Sequence, residues 1–450
     1  MSSSSRPRLR PWTCSPATAP GVTPSPTPSA RSTTTGGPEP VTTASPTKSG
    51  FDARSFSQRL TSPVAPYYLL LGATTLLLVF GLIMVLSASS VTSYAGGHGS
   101  AYAVFNKQAM FAVIGVIAAV IAARLPVAWW KRLAFPIYGL ALALQMLVFS
   151  PLGVNVLGNT NWIRVAGFTM QPSEMGKLAI VLICAVVLER KRRHLARPKH
   201  VLIVLVPMVL LLLGLVMAGH DLGTTMVLAL TAGAVLWVAG LNWKFFGGAL
   251  AVAVVALGAA VKFSGNRSAR FDAWLGTCVN EHTAGCYQKV HGLYAMADGG
   301  WWGVGLGASR EKWFWLPEAH NDFIFAIVGE ELGLPGTLAV IGLYAVLGYA
   351  CYRLIATSKD FFVRLATAGV MAWILAQAMI NIGSVIGLLP IIGVPLPLMS
   401  SGGSALVMAL VGLGMVISFA RNEPECKAAL AQRPSMVRRT LAVMPTHRNR

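Results

Sequence analysis

Carboxylates are scarce in this sequence. Only 16 Asp and Glu occur among 450 residues, and charged residues of both signs make up 12%, about half the share of a soluble globular domain. So little charge cannot cover a water-facing surface, which excludes an ordinary soluble protein. Cysteine is sparse too: the six present form no CxxC pair and no zinc-type spacing, which excludes structural zinc and dithiol redox chemistry. Lys and Arg number 36 and give a net charge of +20. They form no stripe interleaved with aromatics on a polar domain, so no nucleic-acid partner is expected. The N-terminal stretch lacks a compact apolar segment followed by a cleavage site, so it does not read as a signal peptide.

What is present is apolar. Hydrophobic residues make up 54% of the chain and mean hydropathy is +0.61, which places it among integral membrane proteins. Runs long enough to span a bilayer lie near 67–87, 109–124, 134–150, 174–189, 201–219, 222–240, 245–262, 323–352, 365–387 and 404–420. The expected fold is therefore an all-α integral membrane protein of about ten transmembrane helices. The 323–352 run exceeds what a bilayer needs, so tilt or overhang is expected there. Lys and Arg gather in "KR" at 131–132, "RKRRHLARPKH" at 190–200, "RLIATSKDFFVR" at 353–364 and the tail beyond Arg421. Basic residues mark cytoplasmic ends, so both termini are expected inside. Residues 1–66 are rich in Pro, Thr and Ser and read as a disordered cytoplasmic tail. The membrane domain covers 67–420, and 421–450 is a basic cytoplasmic tail.

The outer face then receives 151–173, a turn at 219–222, a long loop at 263–322 and 388–403. The long loop is too large for a mere connector. Its "GGWWGVGLG" has no strand or βαβ context and is no nucleotide fingerprint; it reads as a tight turn with aromatics near the membrane interface. The scarce carboxylates concentrate at its end: "LPEAHNDFIFAIVGEELG", 316–333, holds four of them and a histidine. Asp322 directly precedes an apolar run, so it reads either as an N-cap or as a general base at the membrane surface. Glu330 and Glu331 lie about 12–13 Å deeper if the helix is continuous, where a carboxylate needs a cavity or a cation. His320 reads as a loop residue, since no second His stands at ligand spacing.

In "NTNWIRVAGFTMQPSEMGKLAIV", 159–181, Pro172, Ser173 and Glu174 read as a helix start with Ser173 as its cap. Glu174 and Lys177 share a face and can pair; alternatively Lys177 and Arg164 attract an anion such as phosphate. Asp221 in "AGHDLGTTMV" reads as an N-cap. "NIGSVIGLLPIIGVPLPLMSSGGSALV", 381–407, with three prolines and then Ser-Ser-Gly-Gly-Ser, is broken backbone that belongs against protein or a wet cavity.

Taken in order, "VLSASSV", "NKQ", "QPSEMGK", "DLGTT", "GLGASREKWFWLPEAHNDFIFAIVGEELG" and "NIGSVIGLLPIIGVPLPLMSSGGSA" resemble the SEDS family (shape, elongation, division and sporulation), which includes FtsW, RodA and SpoVE. The resemblance covers about residues 67–425 and is closer to the actinobacterial FtsW branch. It implies a peptidoglycan glycosyltransferase that polymerises lipid II at the outer leaflet and releases undecaprenyl diphosphate during septal wall synthesis. The family's essential aspartate falls on Asp322. Its motif positions fall on Trp162, Arg164, Glu174, Lys177, Gln288, Lys312 and Glu318 as substrate-binding candidates. Arg164, Lys177, Lys312 or a divalent cation (Mg or Mn) would compensate the leaving diphosphate. Implied partners are a class B penicillin-binding protein (a transpeptidase), other divisome proteins and the plasma membrane at the septum. Two positions depart from the family pattern: Gly219-His220 ahead of Asp221, and Asp298 where a small residue is usual. A lipid II flippase using Glu330 and Glu331, an elongation enzyme of the RodA kind and a division scaffold are the competing readings. Cys278 and Cys286 sit in the outer loop, where an oxidising setting favours a disulfide between them; the other four cysteines are expected to be reduced.

Overall fold

The computed structural model describes residues 62–95, 100–156, 159–165, 168–195, 198–262, 265–276 and 284–432. Most of the two terminal tails (1–61 and 433–450) and Cys278 lie outside these.

All ten apolar runs fall in helices. These are α1 (Ala65–Ser93), α2 (Ala103–Arg124), α3 (Val127–Leu147), α4 (Pro172–Arg190), α5 (Pro198–Ala218), α6 (Leu222–Val238), α7 (Trp243–Lys262), α10 (Ile324–Thr357), α11 (Phe361–Val385) and α12 (Gly403–Asn422). Among the described residues, α1, α2, α5, α10, α11 and α12 are long and apolar enough to cross a membrane, while α6 is shorter. Large apolar side chains such as Leu76, Ile117, Ile121, Ile203 and Leu210 face outward, a surface suited to lipid rather than water. The chain is a helical membrane protein. Helix α4 stands at the centre. Leu178 through Leu188 are buried without interruption, the mark of a helix apolar on every side, and it packs against α3, α6 and α11.

Three features depart from the sequence expectation. First, a three-stranded antiparallel sheet precedes α4: β1 (Gly153–Val156), β2 (Asn159–Val165) and β3 (Phe168–Met170), in the order β1-β2-β3. Hydropathy could not announce strands this short. Second, the long 323–352 run is not one continuous helix. Helix α10 breaks at Gly333, whose φ of 65° and ψ of −156° are not helical. The loop at 299–305 fills the break. Val304 and Gly305 donate backbone N–H groups to the Glu330 and Glu331 carbonyls at 2.9 and 3.0 Å, and Leu334 donates to Gly300 O at 3.3 Å. A Cβ on Gly299 would stand 1.9 Å from Gly329 O, so only glycine permits this approach. Third, the long loop carries helices of its own, α8 (Gly265–Trp274) and α9 (Ala284–Gly299). A short helix, α13 (Pro424–Ala431), follows α12.

The connections sort into two ends. At one end Lys131 bridges Glu189 at 2.6 Å and Asp360 at 3.0 Å, and Arg190 and Arg192 stack on Phe135 and Phe361. These are the Lys/Arg-rich segments. At the other end meet the sheet, the 219–221 turn, the end of the long loop and the 394–404 segment. Thr160 donates to Gly219 O at 3.1 Å, Gln171 Nε2 to Asp221 Oδ2 at 2.9 Å, and Ser401 N to His320 O at 2.9 Å.

Candidate active site

Two irregular segments, 316–323 and 394–402, are fastened to one another. Ser400 Oγ donates to Asn321 O at 2.7 Å while accepting from Leu396 N at 2.7 Å. Asn381, on α11, donates from Nδ2 both to Asp322 O (2.7 Å) and to Val394 O (2.8 Å). Gln108 ties the far side, donating to Ser400 O and accepting from Gly402 N. The broken backbone of 381–407 thus has its polar groups met by buried side chains.

Asp322 is not an N-cap. The cap of α10 is Phe323, with no side-chain hydrogen bond, and the Asp322 carboxylate accepts none from any described residue. The backbone is fixed; the acid is free. It is half-buried. Burial first, and then the charge of Glu318, push its pKa up to about 7, with Arg270 opposing and Asp221 adding to the rise. Glu318 holds the turn that presents it. It adopts φ 57°, its carbonyl accepts from Asn321 N and Phe323 N at 2.9 and 3.3 Å, and its carboxylate accepts from Asn321 Nδ2. Burial lowers the pKa of His320, Glu318 opposing, and its Nδ1 is buried without a partner.

The other candidates fall into two groups. Lys177 and Glu174 form a buried ion pair at 2.7 Å. Lys177 Nζ also donates to Gln377 Oε1 at 2.9 Å, and Gln377 Nε2 reaches Pro395 O at 2.8 Å. A cavity with room for about one water lies beside them, lined in part by Glu174, Gln377 and Ser400. Ser173 does not cap this helix: Gln171 occupies the cap position without a side-chain bond, and Ser173 Oγ is buried and unpartnered. Lys312 is likewise committed, donating to Glu331 Oε1 (3.0 Å), Ser87 Oγ (3.3 Å) and Gly307 O (2.6 Å). Glu330 accepts from Ser309 Oγ and Arg310 N, both at 2.6 Å. The two deep carboxylates therefore fasten the loop to α10 and α1.

Trp162 and Arg164 lie on the outward face of β2, while Asn161 and Ile163 on its other face are buried, as strand alternation requires. Arg164 is exposed and Gln288, on α9, half-buried; neither side chain has a hydrogen-bond partner among the described residues, though Arg164 N donates to Leu152 O at 3.1 Å. Asp221 caps α6 as expected, accepting from Thr224 N at 2.9 Å. The Gly219 departure has a local cause: a Cβ there would stand 2.0 Å from Asn161 Oδ1. Asp298 is exposed on α9. Cys286 is buried and disulfide-bonded; Cys278, its expected partner, is outside the described residues. Sequence reading assigned no role to Gln108, just ahead of the 109–124 run, or to Gln377 and Asn381, polar residues inside the 365–387 run whose placement there was itself the signal. It also missed Arg270.

Residues 68–425 match the FtsW/RodA/SpoVE family of cell cycle proteins. The chain belongs to this family. A relative in Mycobacterium tuberculosis, named a probable peptidoglycan glycosyltransferase FtsW, is 40% identical over 388 residues, covering 86% of this chain and 74% of that one. The protein of the same name in Trichlorobacter lovleyi is 34% identical over 340 residues, covering 75% and 89%. The fold is that of a chain in a solved peptidoglycan synthase complex (TM-score 0.64, 24% identity, 78% of this chain and 97% of that one). Thermus thermophilus RodA shares it (TM-score 0.58, 23% identity, 79% and 96%).

Proposed function

We infer that the protein is a peptidoglycan glycosyltransferase of the FtsW kind, polymerising lipid II into glycan strands during septal wall synthesis. Family membership and the names of the relatives support the reaction class. The observation that carries the site is the free carboxylate of Asp322, held by its backbone alone at the end where the outer segments converge.

The acceptor's sugar 4-hydroxyl attacks the anomeric carbon of the lipid-linked donor, and undecaprenyl diphosphate leaves. An alcohol is a weak nucleophile near neutrality, so its proton must be removed as the bond forms. Asp322 takes it. A carboxylate with pKa near 7 is better matched to this task than an ordinary one, because its conjugate acid holds the proton more firmly. Inversion from an α-linked donor to a β-linkage needs no covalent intermediate. Glu330 and Glu331, which a transport reading would employ, are tied to Ser309, Arg310, Lys312 and Ser87. Among the described residues no three His, Cys, Asp or Glu side chains converge to hold a metal. A divalent cation (Mg or Mn), which one or two carboxylates and the substrate's own phosphates can hold, would add charge compensation for the leaving diphosphate.

The reading includes ten spans with both termini cytoplasmic, supported by the gathering of Lys/Arg segments at one end. It also includes partnership with a class B penicillin-binding protein and other divisome proteins at the septum. Likeness to a chain of a peptidoglycan synthase complex supports such an assembly. Purified protein with its cognate transpeptidase, given lipid II, should yield glycan polymer; lipid II left unconsumed by a folded complex would remove the reading.

A further inference from the structure

Of the cations expected to meet the donor's diphosphate, Lys177 and Lys312 are buried and bonded to carboxylates and to other acceptors. Neither presents an open face. Arg270, on α8, differs. It is half-buried, no described residue accepts a hydrogen bond from it, and Asp322 is the charged group it faces. Gly393 sets the spacing between the two. The point a Cβ on Gly393 would occupy lies 3.4 Å from Asp322 Oδ2 and 3.8 Å from Arg270 Nη1. Gly393 has φ 76°, so a glycine is favoured there and the space above it stays open. Arg270 also lines a small cavity with Lys289, Ser384 and Gly387. Lys289 is occupied, donating to the α8 carbonyls of Ala273 and Trp274. Among the described residues the guanidinium's donors are therefore unused, in a fork suited to phosphate oxygens, beside the proposed base.

We propose that Arg270 is the anion-receiving residue of this site, holding the donor's diphosphate while Asp322, across Gly393, takes the acceptor's proton. The inference rests on the glycosyltransferase reading. As the acceptor oxygen bonds to the anomeric carbon, the bond from that carbon to the phosphate oxygen breaks. The electron pair leaves with the diphosphate, whose growing charge meets the guanidinium, and the hydroxyl proton moves to Asp322. At Asp322 the positive charge of Arg270 works against the rise that Glu318, on the same loop, and Asp221, at the α6 N-terminus, produce.

The test uses the full chain with its transpeptidase in vesicles of neutral phosphatidylcholine. Lipid II polymerisation is followed with Arg270→Gln, Arg270→Lys and Asp322→Asn, and inorganic pyrophosphate serves as competitor. Arg270→Gln should raise the KM for lipid II about 10- to 100-fold, the scale of charge-assisted hydrogen bonds to phosphate, and should abolish pyrophosphate inhibition. Arg270→Lys should recover part of both, since it keeps the charge and loses the fork. Asp322→Asn should still bind pyrophosphate while making no polymer. An Arg270→Gln protein that folds, keeps the native KM and is still inhibited by pyrophosphate overturns the proposal, as does a change confined to the pH profile of kcat. A variant that loses only stimulation by added phosphatidylglycerol would place Arg270 against lipid headgroups and overturn it too. If instead Asp322→Asn polymerises normally, the reading of the base fails, whatever Arg270 does.

Discussion

Asn381 Nδ2 lies 2.7 Å from the backbone carbonyl of Asp322. Its second bond, to Val394 O at 2.8 Å, makes one amide the joint between helix α11, the loop bearing Asp322 and the loop bearing Gly393. The main chain of the proposed base is thereby held without using its carboxylate.

Asn381→Asp keeps the shape of that joint and, when ionised, removes its donor. Two carbonyls then lose a partner, at about 1–3 kcal/mol each. Misplacing Asp322 by about 1 Å can cost on the order of 10²-fold in rate. Polymerisation assays beside melting curves should show both losses. A native rate would mean the loop is held by other means.

Lys312→Met leaves Glu331 buried without its cation, which should destabilise the protein by about 3–5 kcal/mol. Pairing it with Glu331→Gln should recover most of that, because no uncompensated charge remains. Detergent melting curves decide: equal losses in the single and double variants would show that the pair does not hold the loop.

The rate should depend on pH through Asp322. Below a pKa of about 7 the carboxyl is protonated and cannot accept, so kcat should fall about tenfold per pH unit on the acid side and level off above. For stability the sign is the reverse. Because the folded-state pKa is raised, this group's contribution is fully present below about pH 4 and is lost as pH rises through about 7. A rate that stays flat down to pH 5 would mean that the base ionises like an ordinary carboxylate.

Peptide mapping without reductant should recover Cys286 cross-linked to Cys278. Cys286→Ser should then cost about 2–3 kcal/mol, as expected for closing so short a loop. Finding both thiols alkylated would contradict the pairing.

The helices were legible because a bilayer demands long apolar runs, and all ten runs lie in helices. The site was legible in part. Asp322 stood out as a carboxylate at the edge of such a run, but whether it capped the helix or stood free depended on the turn at Glu318, which no local pattern encodes. Lys177 and Arg164 looked alike as anion ligands in the sequence. Packing against Glu174 and Gln377 buries the former, and strand alternation exposes the latter. Gln108, Asn381 and Arg270 were missed because their partners lie far away in the chain: Gln108 meets Ser400 and Asn381 meets Asp322. Such contacts are made by topology, not by periodicity. The break at Gly333 was hidden for the same reason, since the groups that fill it come from 299–305.

The most direct test of the central claim is lipid II polymerisation by Asp322→Asn in the purified complex. The substitution keeps size and polarity, and since the native carboxylate caps nothing, folding and transpeptidase association should be unchanged. What it removes is the proton acceptor, whose loss typically costs about 10²–10⁴-fold. The account predicts lipid II binding with near-complete loss of glycan polymer. A folded Asp322→Asn protein that polymerises lipid II at close to the native rate would contradict it.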